Sequence, residues 1–128
     1  MSQRDSQYIG RAGEFLAAFL LETNGLRTTH VDIPGDDLWC AHPSGRVYRV
    51  QVKSSLSSRN FGDRHAPSYT YNIRSRETYS GVYVFVAIDK MLCIARRWDD
   101  TPPSTVRYQS DAFTPEVQIE TIKREFSL

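Results

Sequence analysis

Tyr48-Arg49-Val50-Gln51-Val52-Lys53-Ser54-Ser55 alternates its side chains with the two-residue period of a β-strand, and a strand is expected over Val47–Ser54. Tyr48, Val50 and Val52 fall on one face; Val47, Arg49, Gln51 and Lys53 fall on the other. Gln51 and Lys53 then stand about 6.5–7 Å apart near the strand's end. Of the sixteen basic residues only Lys53, Lys90 and Lys123 are lysine, so a lysine at this position calls for a reason.

Upstream, two more strands are expected, over Arg27–Ile33 and Asp37–Ala41, with Pro34-Gly35-Asp36 as the turn between them. His42-Pro43-Ser44-Gly45 then turns the chain into the strand that carries Lys53. An antiparallel pair joined this tightly brings Asp37 beside Gln51 and Lys53. Before these strands, Ser6–Asn24 has helical periodicity, with Ile9, Ala12, Phe15, Leu16, Phe19 and Leu20 recurring and Gly25 as a stop. Phe15–Leu21 is apolar all round, which predicts a helix covered on most sides. Glu14 shares a face with Gly10, Ala17, Ala18 and Leu21, small and apolar, where an isolated carboxylate is costly without a partner.

Downstream, Leu56–Ser68 reads as a polar surface loop and Tyr69–Ile73 as a short strand. Val82–Ile88 and Met91–Trp98 form a hairpin around Asp89-Lys90, and a loop with Pro102-Pro103 leads to a last helix. Thr114 is its N-cap, Pro115 lies in its first turn, and Glu116 favours its positive end. The expected class is α/β, a mixed central sheet flanked by an N-terminal and a C-terminal helix.

The 128 residues suit one domain, 1–128. A net charge of +1 does not by itself point to nucleic acid. The longest apolar run, Phe15–Leu21, is far short of a membrane span, and the N-terminus lacks the pattern of a secretory leader. Cys40 and Cys93 have no ligand spacing and read as buried thiols, so a cytoplasmic protein is expected. His30, His42 and His65 show no metal-binding spacing, and Trp39 and Trp98 read as core.

Gly10-x-x-Gly13-Glu14, then Gly35-Asp36-Asp37-Leu38, then Val50-Gln51-Val52-Lys53 resembles the PD-(D/E)XK nuclease superfamily, nearest to its small endonuclease and Holliday-junction-resolvase-like group with a QVK third motif. The resemblance spans about Gly10–Ser55. It implies a restriction-endonuclease-like core and a Mg²⁺-dependent endonuclease, with Mn²⁺ able to substitute, acting on DNA such as four-way junctions or other branched forms. It implies Asp37 as the metal-bridging carboxylate, with Gln51 and the Val52 carbonyl as further oxygen ligands. Lys53 would orient or deprotonate the attacking water, and Glu14 would hold the metal's water shell. Oxygen ligands suit Mg²⁺, and a desolvated lysine can lose a proton where arginine cannot.

Two features depart from the pattern. Gln51 replaces the usual acidic residue, and the proline–aspartate pair is interrupted, which leaves Asp36 as a rival to Asp37. Ser54, Ser55, Arg59, Arg64, Arg74 and Arg76 are candidate contacts to a DNA backbone. Cutting two strands needs two centres, so a homodimer is expected. The competing reading, favoured by Gln51, is a non-catalytic nucleic-acid-binding or protein-interaction module that keeps the nuclease fold.

Overall fold

A computed structural model describes residues 3–60, 62, 66–74 and 78–128. Helix α1 (Gln3–Thr23) leads into strands β1 (Arg27–Ile33), β2 (Asp36–Ala41) and β3 (Val47–Ser55). There follow β4 (Ser68–Asn72), β5 (Val82–Ala87), β6 (Leu92–Arg96), β7 (Thr105–Gln109) and helix α2 (Pro115–Glu125). The main sheet runs β1-β2-β3-β5-β6, with β3 and β5 parallel and the other neighbours antiparallel. This is the mixed sheet flanked by an N-terminal and a C-terminal helix that the hydrophobic periods predict.

The sheet's two faces build two apolar clusters. Alternate residues Tyr48 and Val50 of β3 turn toward α1, where Ala17 and Leu21 are wholly buried among Leu38, Val84 and Phe126. The other face carries Tyr83 and Phe85, which meet Tyr69 and Tyr71 of β4, Val106 of β7, and Phe113. Strand β5 is buried at every position because both faces are covered, which explains its unbroken Val-Tyr-Val-Phe-Val-Ala run. Cys40 and Cys93 are buried, and burial pushes both thiols up to about 12.

Helix α2 starts as its sequence predicts: the Thr114 hydroxyl accepts from the Val117 amide at 3.1 Å and Pro115 follows. Its inner face then closes the free edge of β6. Gln118 Oε1 accepts from the Cys93 amide at 2.9 Å, and Thr121 Oγ1 from the Ala95 amide at 3.1 Å. Among the described residues, no helix is long and apolar enough to cross a membrane.

Four expectations need correction. Thr105–Gln109, read as loop, is strand β7; it pairs antiparallel with β4 in a separate two-stranded sheet, and five residues after two prolines carry little periodic signal. Helix α1 is not covered on most sides: Phe15 and Phe19 are 53% and 60% exposed, because the main sheet meets only one stripe of the helix. Trp39 is 39% exposed rather than core, since it lies on the strand face where its indole reaches Asp36. The expected hairpin around Asp89-Lys90 is present, but its strands are shorter than Val82–Ile88 and Met91–Trp98: they run Val82–Ala87 and Leu92–Arg96, because Ile88–Lys90 forms a 3₁₀ turn closed by Met91 in the left-handed region at φ 56°.

Candidate active site

The Leu38–Val50 pair is the last rung of the β2–β3 ladder. Beyond it β3 continues to Ser55 beside β5, but β2 does not accompany it, so one edge of β3 is open from Gln51 onward. At that edge the Val52 amide donates to Asp37 Oδ2 at 2.7 Å. The N–H and C=O of one strand residue point to the same side, so the Val52 carbonyl faces the same edge as Asp37. Gln51 lies one step past the last rung and is half-buried.

Asp37 is the electrostatic centre of the group. Burial raises its carboxyl above the ordinary 3.8; the Val52 amide and Lys53 pull it back, and Asp36 adds to the rise. Glu14 reaches the same place from α1, where burial and then the Asp37 charge raise its carboxyl, against Arg11. Burial lowers Lys53, opposed by Asp37 and assisted by Arg74. Asp37 thus neighbours both the Glu14 carboxylate and the Lys53 ammonium, and both carboxylates are partly desolvated. That leaves a surplus of negative charge in a half-buried setting, which a divalent cation would neutralise.

The first of the paired aspartates has a different fate. Asp36 is buried and accepts from Arg49 Nε at 2.8 and 3.0 Å, from Trp39 Nε1 at 2.9 Å and from the Tyr79 hydroxyl at 2.7 Å. Burial alone would raise its carboxyl, but these donors hold it below the ordinary value. Asp36 ties β2 to β3 and to the segment before β5; the ligand-capable oxygens at the sheet edge belong to Asp37.

Gly13 is what lets α1 come this near. A methyl group there would stand 1.7 Å from Ser54 Oγ and 2.6 Å from Ser54 Cβ, so helix and strand touch backbone to side chain. The next residue, Glu14, is thereby set against the sheet edge.

Among the described residues, no three His, Cys, Asp or Glu side chains cluster as metal ligands. Asp37, Glu14, the Gln51 amide and the Val52 carbonyl would offer a bound ion hard oxygen donors, the kind Mg²⁺ takes, with one carboxylate fewer than a three-acid centre. The residues fit such an ion.

The remaining predicted contacts scatter around this edge. Ser54 and Ser55 continue β3 past Lys53. Arg59 is clasped to Ser68 by two backbone hydrogen bonds of 2.9 Å, which fixes it at the foot of β4. Arg74 lies close enough to Lys53 to depress its pKa. Arg64, Arg76 and His65 lie outside the described residues. Sequence reasoning passed over Ser68, Thr70 and Asn72 of β4, which line a cleft beside Ser54. The signal for them was the alternation of Ser68-Tyr69-Thr70-Tyr71-Asn72, whose two tyrosines are buried.

Neither a protein-family model nor a curated protein matches the chain. Among solved structures, it is similar to the bacterial homing endonuclease I-Ssp6803I, with a TM-score of 0.63 at 18% identity, over 81% of this chain and 75% of that one. The two share a fold.

Proposed function

We propose that the protein is a metal-dependent endonuclease that hydrolyses DNA phosphodiester bonds. The observation that carries this is the convergence of Glu14, Asp37 and Lys53 on the open edge of β3, two carboxylates and an amine brought together from three elements. Its fold being that of a homing endonuclease adds support. The arrangement fits the PD-(D/E)XK pattern, with Asp37, Gln51 and the Val52 carbonyl holding Mg²⁺ or Mn²⁺ and Glu14 holding its water. Bound there, the ion would polarise the phosphoryl group and lower the pKa of a bound water.

The chain's own residues perform the rest. The Val52 amide fixes the rotamer of Asp37, leaving Oδ1 for the ion. Lys53 Nζ orients the attacking water and takes its proton as oxygen bonds to phosphorus and the opposite phosphorus–oxygen bond breaks. Arg59, Arg74, Ser54 and Ser55 hold the flanking phosphates. Branched DNA, four-way junctions included, is the proposed substrate, because a chain of 128 residues offers little surface for reading bases and is better suited to reading shape. A homodimer would supply the second centre for a second strand.

A second reading, a non-catalytic nucleic-acid-binding module, is favoured by one observation: Gln51 stands where a third carboxylate would strengthen metal binding.

The deciding experiment is cleavage of labelled linear duplex, single-stranded, flap and four-way-junction DNA in Mg²⁺, Mn²⁺ or EDTA, beside Asp37→Ala. Metal-dependent cutting lost in Asp37→Ala is the expected result. DNA binding without cutting of any substrate would overturn the enzyme in favour of the module.

A further inference from the structure

A cleft of about 540 Å³ opens directly beyond Lys53, between the first turns of α1 and strand β4. Its sides are Ile9 and Gly10 of α1 and Thr70 and Asn72 of β4, and its floor is Ser54 and Ser55 on the open edge of β3. By strand alternation the N–H and C=O of Ser54 point to the same side as those of Val52, away from β5 and along this edge. The contrast with β6 is informative, since there Gln118 and Thr121 close the free edge.

Three features of the cleft have no structural explanation. Among the described residues, the hydroxyls of Ser54 and Thr70 are buried without a hydrogen-bond partner, which costs stability unless a ligand completes them. Gly10 sits inside a helix, where glycine costs about 1 kcal/mol against alanine. Yet a Cβ there would meet none of the described residues within 4 Å, and Gly10 has no positive φ to justify it. Finally, none of the described lining residues is acidic, while Arg59 stands at the rim.

The geometry points to a subsite for one unstacked deoxynucleotide, adjoining the phosphate that Lys53 faces; this rests on the nuclease reading above. The volume falls within the roughly 300–1,000 Å³ in which proteins bury small molecules. A duplex, whose major groove alone is about 12 Å wide, cannot enter, whereas a single nucleotide swung out of the stack can. Ile9 and Leu56 offer apolar surface to the base, while Ser54, Thr70 and Asn72 offer donors and acceptors to its edge and sugar. The substrate class is thus DNA with an unpaired or easily unpaired nucleotide at the cut, as at a branch point.

The test fills the cleft from the one position that tolerates it. Gly10→Leu should melt no lower than the wild type, because helix propensity rises and nothing is displaced. Amide NMR spectra would be recorded while deoxynucleoside 3′- and 5′-monophosphates are added, and DNA cleavage would be assayed in parallel. Shifts at Gly10, Ser54, Thr70 and Asn72 in the wild type, lost in Gly10→Leu, are expected. Shifts that avoid these residues, or that persist in Gly10→Leu, would overturn the subsite even if the wild type cuts DNA. Cleft shifts without any cutting would retain the nucleotide site and remove the nuclease. Should Gly10→Leu not fold, Thr70→Val with Ser54→Ala removes both unpartnered hydroxyls at nearly constant shape and carries the same expectations.

Discussion

Asp36 and Asp37 are neighbours in sequence and opposites in environment: the first is saturated by Arg49, Trp39 and Tyr79, while the second has, among the described residues, one donor, the Val52 amide, and the Glu14 carboxylate nearby. Substituting them should give crossed results. Asp36→Ala leaves Trp39 and Tyr79 with lost bonds, and should cost about 1–3 kcal/mol, with the half-exposed Arg49 recovering its share from water. Asp37→Asn keeps an acceptor for Val52 while removing charge, so it should fold at least as stably as wild type and cut no DNA. Denaturant melts and cleavage assays on both variants check this. A stable Asp36→Ala protein would show that the network does not secure β2.

The Glu14–Asp37 pair has a signature in pH. Both carboxyls are raised in the folded chain, so the folded state binds protons more tightly than the unfolded one. Their unfavourable contribution is complete above the raised values and vanishes below the ordinary 4.5 and 3.8. In EDTA, Glu14→Gln should therefore melt above wild type at neutral pH, and the gap should close as pH falls through the carboxylate range. Added Mg²⁺ should raise the wild-type melting temperature and leave Asp37→Asn unmoved. A gap that is constant from neutral to acid pH would mean the two charges do not interact.

Gly13→Ala should cost about 1–3 kcal/mol through overpacking, since its methyl would overlap Ser54. Ser54→Ala should not restore the loss, because the Ser54 Cβ itself lies 2.6 Å from the added methyl. Ser54→Gly should, because only an ordinary 3.8 Å contact to Cα then remains. Thermal melts of the two double variants decide it; equal recovery in both would place the clash elsewhere.

Phe15 and Phe19 lie one turn apart on α1, exposed, with His30 against the Phe15 ring at a centroid distance of 4.7 Å. If the protein dimerises, this stripe is the expected seam. Sedimentation should give a dimer for wild type and a monomer for Phe15→Lys with Phe19→Lys. A monomeric wild type at concentrations that support cutting would remove the dimer.

How much of this was legible in the sequence follows from where the signal lies. Strands β1 to β3 were readable because Gly or Pro turns separate them and β3 alternates apolar and polar residues from Tyr48 to Lys53. That Asp37 would lie near Gln51 and Lys53 was expected from two antiparallel strands joined by a tight turn. The exposed side of α1 was not readable: seven successive apolar residues mark a helix but not which of its faces meets the sheet. Strand β7 was hidden because its partner β4 lies far back in the chain, and long-range pairing leaves no local period. The distinct fates of Asp36 and Asp37 were likewise closed to sequence, since Tyr79, which helps to claim Asp36, comes 43 positions later.

The two-stranded sheet governs how the cleft can be opened. Strand β4 is held by its ladder to β7, by the Arg59–Ser68 backbone pair, and by Tyr69 and Tyr71, whose hydroxyls donate to Asp89 and to the Val86 carbonyl; none of the rungs that join β1, β2, β3, β5 and β6 passes through it. Releasing those ties together would widen the cleft on one side while the Asp37–Val52 contact stayed closed on the other. Access to the cleft and integrity of the Asp37–Val52 edge are therefore separable properties of this chain, each with its own strands to be tuned.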